Sequence, residues 1–596
     1  MYYCNPINIE YKYQRFPNDD HDHPTLYREA ADPTLIYFMD QYMLFPSVSG
    51  GFYTSTDLCN WAFHKFPFDM PIYDYAPDVC VIGDYLYYTA SASDENCSFY
   101  RTTDPFTRPF EEITGTFPFW DPHLFRDDDG RLYFYWGCSN ESPLYGVELD
   151  ATTLTMIGTP QLLMELHPHK NGYERVGDDN VAPLTDTEIL QHVQQAIESL
   201  KDPQDIREIN RRFHDLRRQF SYDSWLEGAW TNKIGDTYYL QYACPATEYN
   251  IYCDGVYTAK SPLGPFIQAP NNPFSYQPGG FMTGAGHGST VVAPDKRLWH
   301  ISSSQISINH IFERRLGLWK AGVDAAGELY CDQRFGNWPI NRDAPAFSDP
   351  DWMLLSYHKP VKASSGTNLD QVVDENAKTW WTAADHTPEQ WVEVNLTAVK
   401  DVRAIQINFA DCNQYDAQAA ASLPEAAPNA SRYIELRQMF TRWQLEGSLD
   451  GNNYFMIKDN SSAQTDLSHD CWIDETGIKA QYIRLTIKSL PYDQVPAISG
   501  IRVFGISDGK LPNQIDDFTA NSLTDEDMLV SWAISNQTGV VISWGHRADK
   551  LYHSRTVIDQ GQQVISALVQ GQPVFMQIDA FNEAGVTHGK VFQVRS

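Results

Sequence analysis

Five side chains that can carry charge or move a proton stand at comparable places in the first 345 residues. Each precedes a short apolar strand, a tight turn and an aromatic strand. Carboxylates and imidazoles do acid–base chemistry when a fold collects them in one pocket. A carboxyl group beside another negative charge resists ionisation, so two neighbouring carboxyls can divide into an acid and a base. The five residues are Asp32, Asp78, Asp121, Glu227 and His287.

The stretch from Trp120 to Gly137, WDPHLFRDDDGRLYFYWG, shows the pattern most clearly. Its Asp129-Gly130 pair favours a tight hairpin turn between two strands. Related stretches begin at the other four residues, and each is followed by a further strand and an outer edge. Units of roughly 45 to 60 residues with about four short strands are typical of propeller blades. The sequence therefore predicts a five-bladed β-propeller, whose inner strands bring the five residues into one pocket near the axis.

Residues 185–221 depart from this rhythm of strands. Apolar residues recur there at spacings of three and four, which predicts two amphipathic helices separated at Asp202-Pro203. Thr185 and Glu188 form a candidate capping box for the first helix. The insertion comes just before Glu227, and two roles stay open for it. It is either a lid or wall of the pocket, or an insertion packed on the edge of the propeller.

The chain after residue 350 has a different sequence pattern. Alternating apolar strands over 356–506 predict a β-sandwich with a long loop at 411–431, and the strands of 511–596 predict a smaller sandwich. With a propeller domain over 1–350, the predicted fold class is all-β. The polar and aromatic residues 1–30 are expected to form a solvated lead-in to the first blade.

The composition argues against several classes of partner. A net charge of −33 and a pI of about 4.8 disfavour nucleic acid and anionic membranes, because both attract Lys and Arg. The ten cysteines contain no CxxC pair, and no apolar run reaches membrane-spanning length. The N-terminus lacks the basic and apolar regions of a signal peptide. We therefore expect a monomer that acts on a neutral substrate and is cytoplasmic, or periplasmic or extracellular if a signal has been removed.

The motifs at the five positions resemble those of glycoside hydrolase family 43. They are ADP at Asp32, APDV at Asp78, WDPHLF at Asp121, EGAW at Glu227 and GHGS at His287. The resemblance implies a five-bladed propeller that removes arabinofuranosyl or xylosyl units from plant polysaccharides. Two features depart from the family pattern: Gly-Ala follows the glutamate where many members have Gly-Pro, and the helical insertion is not general in the family.

The resemblance also implies roles in an inverting hydrolysis. Asp32 would be the general base, Glu227 the general acid, and Asp121 the residue that orients the acid and raises its pKa. For His287 it implies a place near a cation, often calcium held through water, and no cofactor is otherwise required. Further candidates for contact with substrate have equally plausible structural readings as strand caps, surface pairs or packing between blades. They are Asp78, Trp120, Phe52 and Arg315, with Arg314 beside it.

The later domains resemble accessory modules. Residues 356–506 resemble a discoidin-like (coagulation factor 5/8 type C) domain through the segments ASS…VDEN…TWW, EGSLDG and ISGIRVFG, and 511–596 are similar to a fibronectin type III module. The first expectation for the whole chain is an exo-acting α-L-arabinofuranosidase. A β-xylosidase, an exo-galactosidase and a non-catalytic carbohydrate-binding propeller stay open as alternatives.

Overall fold

A computed structural model describes residues 1–15, 26–47, 49–67, 75–91, 96–113, 117–140, 142–198, 213, 216–217, 221, 224–306, 309–411 and 433–596. Strands dominate these residues, and they group into a propeller followed by two sandwiches. The predicted all-β fold class is therefore confirmed. Within the described ranges, no helix combines the length and the apolarity needed to cross a membrane.

Five antiparallel blades follow one another between residues 34 and 332, and in each blade the strands lie side by side in chain order. A short parallel contact between Cys253 and Ala285 joins the fourth and fifth blades. This arrangement is the predicted five-bladed propeller. In order, the blades consist of strands Thr34–Phe38, Gln41–Phe45, Gly51–Ser55 and Ala62–Lys65; Asp78–Ile82, Tyr85–Thr89, Phe99–Thr102 and Glu111–Ile113; His123–Arg126, Leu132–Trp136, Leu144–Leu149 and Met156–Met164; Glu227–Ile234, Thr237–Cys244, Cys253–Ala259 and Ile267–Gln268, with Ser275–Tyr276 beside them; and Thr283–Val292, Leu298–Gln305, Arg314–Val323 and Leu329–Asp332.

Aromatic rings fill the spaces between neighbouring blades. Phe45 and Phe52 stack with ring centres 5.1 Å apart in the core shared by the first two blades. Phe99 and Phe134 meet edge to face at 5.5 Å between the second and third blades. Phe52 is fully buried, so the prediction that it contacts substrate is wrong. The physical reason is that Phe52 lies on the third strand of its blade, away from the axis, and packs as core.

The insertion between the third and fourth blades follows a short 3-10 helix, Gly172–Glu174, and contains the α-helix Asp186–Glu198. The predicted capping box is present. The Thr185 N–H donates to Glu188 Oε2 at 2.8 Å, and the Glu188 N–H donates to Thr185 Oγ1 at 3.3 Å. The second predicted helix lies mostly outside the described residues.

Residues 1–15 and 26–30 do not form the predicted solvated lead-in, and residues 16–25 of that prediction lie outside the described residues. Tyr2–Tyr3 pairs with Ile340–Asn341, while Lys12–Arg15 pairs with Tyr27–Glu29 on one side and Tyr433–Ile434 on the other. The prediction is wrong because the apolar side chains of this segment alternate with polar ones and are covered on both sides. Those that are buried include Ile7, Ile9, Tyr11 and Tyr13.

The first sandwich is built on two long strands, Trp391–Phe409 and Cys471–Ser489, which pair along much of their length. Its core contains Trp381 and Trp443, both fully buried. The remaining elements are the strands Met353–Leu354, Val361–Ala363, Trp381–Thr382, Arg442–Ser448, Tyr454–Asp459 and Ala497–Ile506 and the 3-10 helices Leu369–Val373 and Pro491–Asp493.

The second sandwich has one sheet of three strands and one of five. Its apolar core is continuous with that of the third and fourth blades, and Tyr276 of the propeller meets Trp544 edge to face at 6.2 Å. The two sheets contain the strands Phe518–Ser522, Met528–Trp532 and Gln562–Ile565; and Gly539–Gly545, His553–Ile558, Val574–Asn582, Gly585–Thr587 and Phe592–Arg595.

Candidate active site

A pocket of about 370 Å³ opens near the propeller axis, where the inner strands begin. Four of the five predicted residues line it, although they are far apart in the chain. The pocket is lined by Asp32, Tyr75, Trp120, Asp121, Cys138, Trp225, Glu227, Ala246, Thr247, Glu248, His287, Ile311, Phe312 and Arg314.

Three of the lining residues share an unusual backbone conformation. Asp32, Asp121 and His287 are left-handed, with φ of 47°, 48° and 49°. Asp and His tolerate this region better than most residues, but it still costs on the order of 1 kcal/mol or more. Such strain persists only where the surrounding structure imposes it, and it is common at functional sites. The three blades therefore hold their pocket residues in the same left-handed backbone conformation.

Asp32 is buried and surrounded by hydrogen-bond donors. The two terminal nitrogens of Arg314 donate to its two oxygens at 2.9 and 3.1 Å, and Ser47 Oγ donates at 2.7 Å. Burial alone would raise the pKa of Asp32, but the charges of Arg314 and His287 together with these hydrogen bonds lower it. Asp32 is therefore ionised near neutral pH, as a base that receives a proton from water must be.

Glu227 begins the inner strand of the fourth blade, and its carboxyl group accepts two hydrogen bonds. Tyr252 Oη donates to Oε1, and Cys138 Sγ donates to Oε2 at 3.3 Å. Burial raises the pKa of both donors well above the ordinary values, so both keep their protons. A Cβ atom at Gly228 would lie 2.8 Å from the His287 ring, so glycine is required at this close approach.

Asp121 is a close neighbour of Glu227. Oxygen atoms of the two carboxyls and Cys138 Sγ all lie within 4.8 Å of one another. Burial, followed by the charges of Glu227 and Asp32, raises the pKa of Asp121 to about 7, although His287 opposes the change. Asp121 can therefore keep a proton up to about pH 7, beside the carboxyl group of Glu227.

The raised pKa of Asp121 predicts an unusual pH dependence of stability. Between pH about 4 and about 7 the folded protein holds a proton that the unfolded chain has released, so this residue destabilises the fold as the pH rises. The variant Asp121→Asn should therefore gain stability relative to wild type over that interval, by on the order of 4 kcal/mol at its upper end. Thermal unfolding measured from pH 4 to 8 tests this, and parallel curves for the two proteins would contradict it.

Asp32→Asn is the matched control, with the opposite sign. The pKa of Asp32 is lowered, so this residue stabilises the fold above pH about 4 and loses the effect as the pH falls through the folded-state pKa. The Asn variant should be less stable than wild type at neutral pH and should approach it in acid.

His287 lies between the two aspartates. Its Nδ1 is 3.5 Å from Asp32 Oδ1 and 3.8 Å from Asp121 Oδ2. Burial disfavours the charged ring, but the charges of the two aspartates outweigh it and raise the pKa of His287. Calcium needs several oxygen ligands, whereas both oxygens of Asp32 already accept hydrogen bonds from Arg314, and His287 Nδ1 faces Asp32. These residues do not fit the calcium ion that the family resemblance left open, and His287 instead balances the carboxylate charge.

Asp78 does not line the pocket. It accepts a hydrogen bond from the ring of His123 at 3.0 Å and one from the Leu124 N–H at 2.7 Å. These bonds join the second blade to the third. The predicted contact of Asp78 with substrate is therefore wrong, because its carboxylate is buried and satisfied between blades.

The predicted contact of Arg315 with substrate is also wrong. Arg315 Nε donates to His469 Nε2 of the first sandwich at 2.8 Å, and Arg315 is buried. Its neighbour Arg314 lines the pocket instead. Successive side chains of a strand point to opposite faces, so only one of two consecutive arginines can face the pocket.

Trp120 lines the pocket as predicted, and two other large side chains at its mouth were not predicted. Trp225 is 40% exposed and Ile311 is 53% exposed. Tyr252 and Cys138 were also missed, because no spacing in the chain relates them to Glu227. Their roles follow only from the way the strands meet.

Comparisons with known proteins found a matching family model and similar solved structures. The model of the glycosyl hydrolases family 43 matches residues 21–174 and 193–320. No curated protein matches the chain. Similar solved structures include a glycoside hydrolase (15% identity, 80% of this chain and 97% of that one, TM-score 0.42), the GH43 BlXynB protein from Bacillus licheniformis (12%, 98% and 91%, 0.39) and the Bacteroides ovatus xyloglucan PUL GH43B (13%, 99% and 98%, 0.40). The segments that match the family model contain the carboxylates and the histidine of the pocket, and the propeller of this chain belongs to the glycosyl hydrolases family 43.

Proposed function

We propose that this protein is an inverting exo-glycoside hydrolase that removes α-L-arabinofuranosyl units from plant polysaccharides. Asp32 is the general base, Glu227 the general acid, and Asp121 the residue that orients the acid and modulates its pKa. One observation carries the proposal: a single pocket holds an ionised carboxylate, Asp32, and, apart from it, Glu227 beside Asp121, whose raised pKa lets Asp121 keep a proton up to about pH 7. The motifs at the blade heads support removal of arabinofuranosyl or xylosyl units, and we take the arabinofuranosyl unit as the first of these two.

The proposed reaction assigns a step to each carboxyl group. Glu227 gives its proton to the glycosidic oxygen while the bond between that oxygen and the anomeric carbon breaks. A water molecule attacks the anomeric carbon from the opposite face and gives a proton to Asp32. The transition state resembles an oxocarbenium ion, and the buried carboxylates stabilise its positive charge. The released sugar has the opposite anomeric configuration.

The test is a hydrolysis screen in which proton NMR follows the freshly released sugar. We expect p-nitrophenyl α-L-arabinofuranoside to be cleaved faster than the β-D-xyloside and β-D-galactoside, with inversion at the anomeric carbon. Faster cleavage of the xyloside or the galactoside would show that the sugar assignment is wrong and that the faster substrate carries the preferred sugar. Retained configuration would reject Asp32 as the base that activates water, and binding without cleavage would favour the carbohydrate-binding propeller.

A further inference from the structure

Trp225 places an exposed indole at the mouth of the pocket, two residues before Glu227. Its side chain is 40% exposed, which is unusual for tryptophan in this protein. The backbone beneath it is held firmly: the Trp225 N–H donates to the Pro245 carbonyl at 2.6 Å, and Leu226 and Ser139 exchange two backbone hydrogen bonds of 3.0 Å. A rigid, exposed aromatic ring is suited to stacking against the apolar face of a sugar.

A second cavity of about 330 Å³ lies on the other side of the contact between Ser139 and Leu226. Its volume is close to that of the first pocket. Polar side chains dominate its lining, with three prolines and two leucines among them, a mixture that offers both hydrogen bonds and apolar surface to a sugar. The lining includes Ser139, Ser142, Pro168, His169, Pro183 and Leu226.

The linings of the two cavities come from neighbouring residues on the side of the pocket where the acid lies. Cys138 lines the first cavity and Ser139 the second; Trp225 and Glu227 line the first, while Leu226 between them lines the second. Asp32 is instead bound to Arg314 on the fifth blade. Because the acid protonates the leaving oxygen, the group that departs lies on the side of Glu227 and Trp225.

From this arrangement we infer that Trp225 and the second cavity form a binding site for the sugars on the leaving-group side of the cleaved bond. The inference rests on the proposed function and narrows its substrate class to oligosaccharides or polysaccharides with at least two sugars beyond that bond. One residue of the second cavity, Pro183, lies in the stretch 175–192, which the family model does not match.

The test compares two substrates of the same sugar: a trisaccharide, and the glycosyl fluoride, whose leaving group is a single atom. Trp225→Ala should lower kcat/KM for the trisaccharide relative to the fluoride by about tenfold. Trp225→Phe should restore most of the loss. Phe455→Ala, which removes a 38% exposed ring from the first sandwich, is the control and should leave the ratio as in wild type. An unchanged ratio in Trp225→Ala would overturn the inference.

Ser142→Trp separates the second cavity from the indole. Ser142 is exposed, and a large side chain there should obstruct the cavity without disturbing the core. We expect it to slow the trisaccharide more than the disaccharide, and equal effects would remove the cavity from the site.

Calorimetry of the released disaccharide distinguishes failure of this inference from failure of the proposed function. If wild type cleaves neither substrate, the hydrolase assignment fails. Even in that case, disaccharide binding by wild type that is lost in Trp225→Ala would support the binding site. Equal disaccharide affinity in wild type and Trp225→Ala would contradict it.

Discussion

Replacing Glu227 with Gln is expected to slow hydrolysis of a natural oligosaccharide by about 10²- to 10⁴-fold. The amide has nearly the same shape and can still accept the hydrogen bond from Tyr252, but it has no proton to give to the leaving oxygen. Aryl glycosides with good leaving groups need little protonation and should lose much less. Steady-state kinetics on both kinds of substrate measure the difference, and thermal unfolding checks that the fold is intact.

Glu111→Gln provides the matched control. The substitution is chemically the same, but Glu111 lies on the outer edge of the second blade. Its side chain there is 63% exposed and pairs with Arg101. We expect its kinetics to equal those of wild type. If Glu227→Gln cleaves the oligosaccharide as fast as wild type does, Glu227 is not the acid.

Truncation after residue 350 is expected to yield a propeller that is poorly soluble and inactive. The first sandwich covers the buried N-terminal segment and supplies its strand partner, Tyr433–Ile434. It also holds the wall of the pocket, since Asn309 Nδ2 donates to the Asp411 carbonyl at 2.6 Å, close to Ile311. Removing it would expose apolar surface of a size that promotes aggregation. A soluble, fully active and equally heat-stable propeller would show that the sandwich has no supporting role.

A point variant tests the same support in the full chain. Arg28 of the N-terminal segment is buried and donates to Asp411 at 2.7 Å and to Asp466 at 3.0 Å, both in the first sandwich. Asp411→Ala removes one partner and leaves a buried charge partly unpaired, which should cost about 3 kcal/mol. Chemical denaturation measures the loss. Asp508→Ala, at an exposed carboxylate of the same region, should change stability little.

The second sandwich is fixed to the propeller by similar contacts. Arg175 donates to both oxygens of Asp527 at 2.9 Å, and Lys550 pairs with Asp324 at 2.7 Å. Each pair joins residues that are more than 200 positions apart in the chain. Most of the residues in these pairs are buried. We propose that the two sandwiches act mainly as supports of the propeller, and that any affinity they have for polysaccharide is weak.

The sequence by itself determined the propeller and most of the pocket. Strand alternation and turn chemistry are local, and they repeat from blade to blade; Gly130, for example, has the positive φ of 86° that its hairpin turn requires. Repetition then places the head of each inner strand at the axis. For this reason Asp32, Asp121, Glu227 and His287 were predictable as one site although no local contact joins them.

Only the tertiary structure decided which neighbours complete the site. Arg314 and Arg315 are alike in sequence, and the face of the strand determines that one binds Asp32 while the other binds the sandwich. Burial and nearby charge, rather than residue type, raise the pKa of Asp121 to about 7 and lower that of Asp32. These effects depend on the distances between side chains brought by different blades. A periodic pattern specifies which strands form, but desolvation and charge pairing exist only once those strands have packed.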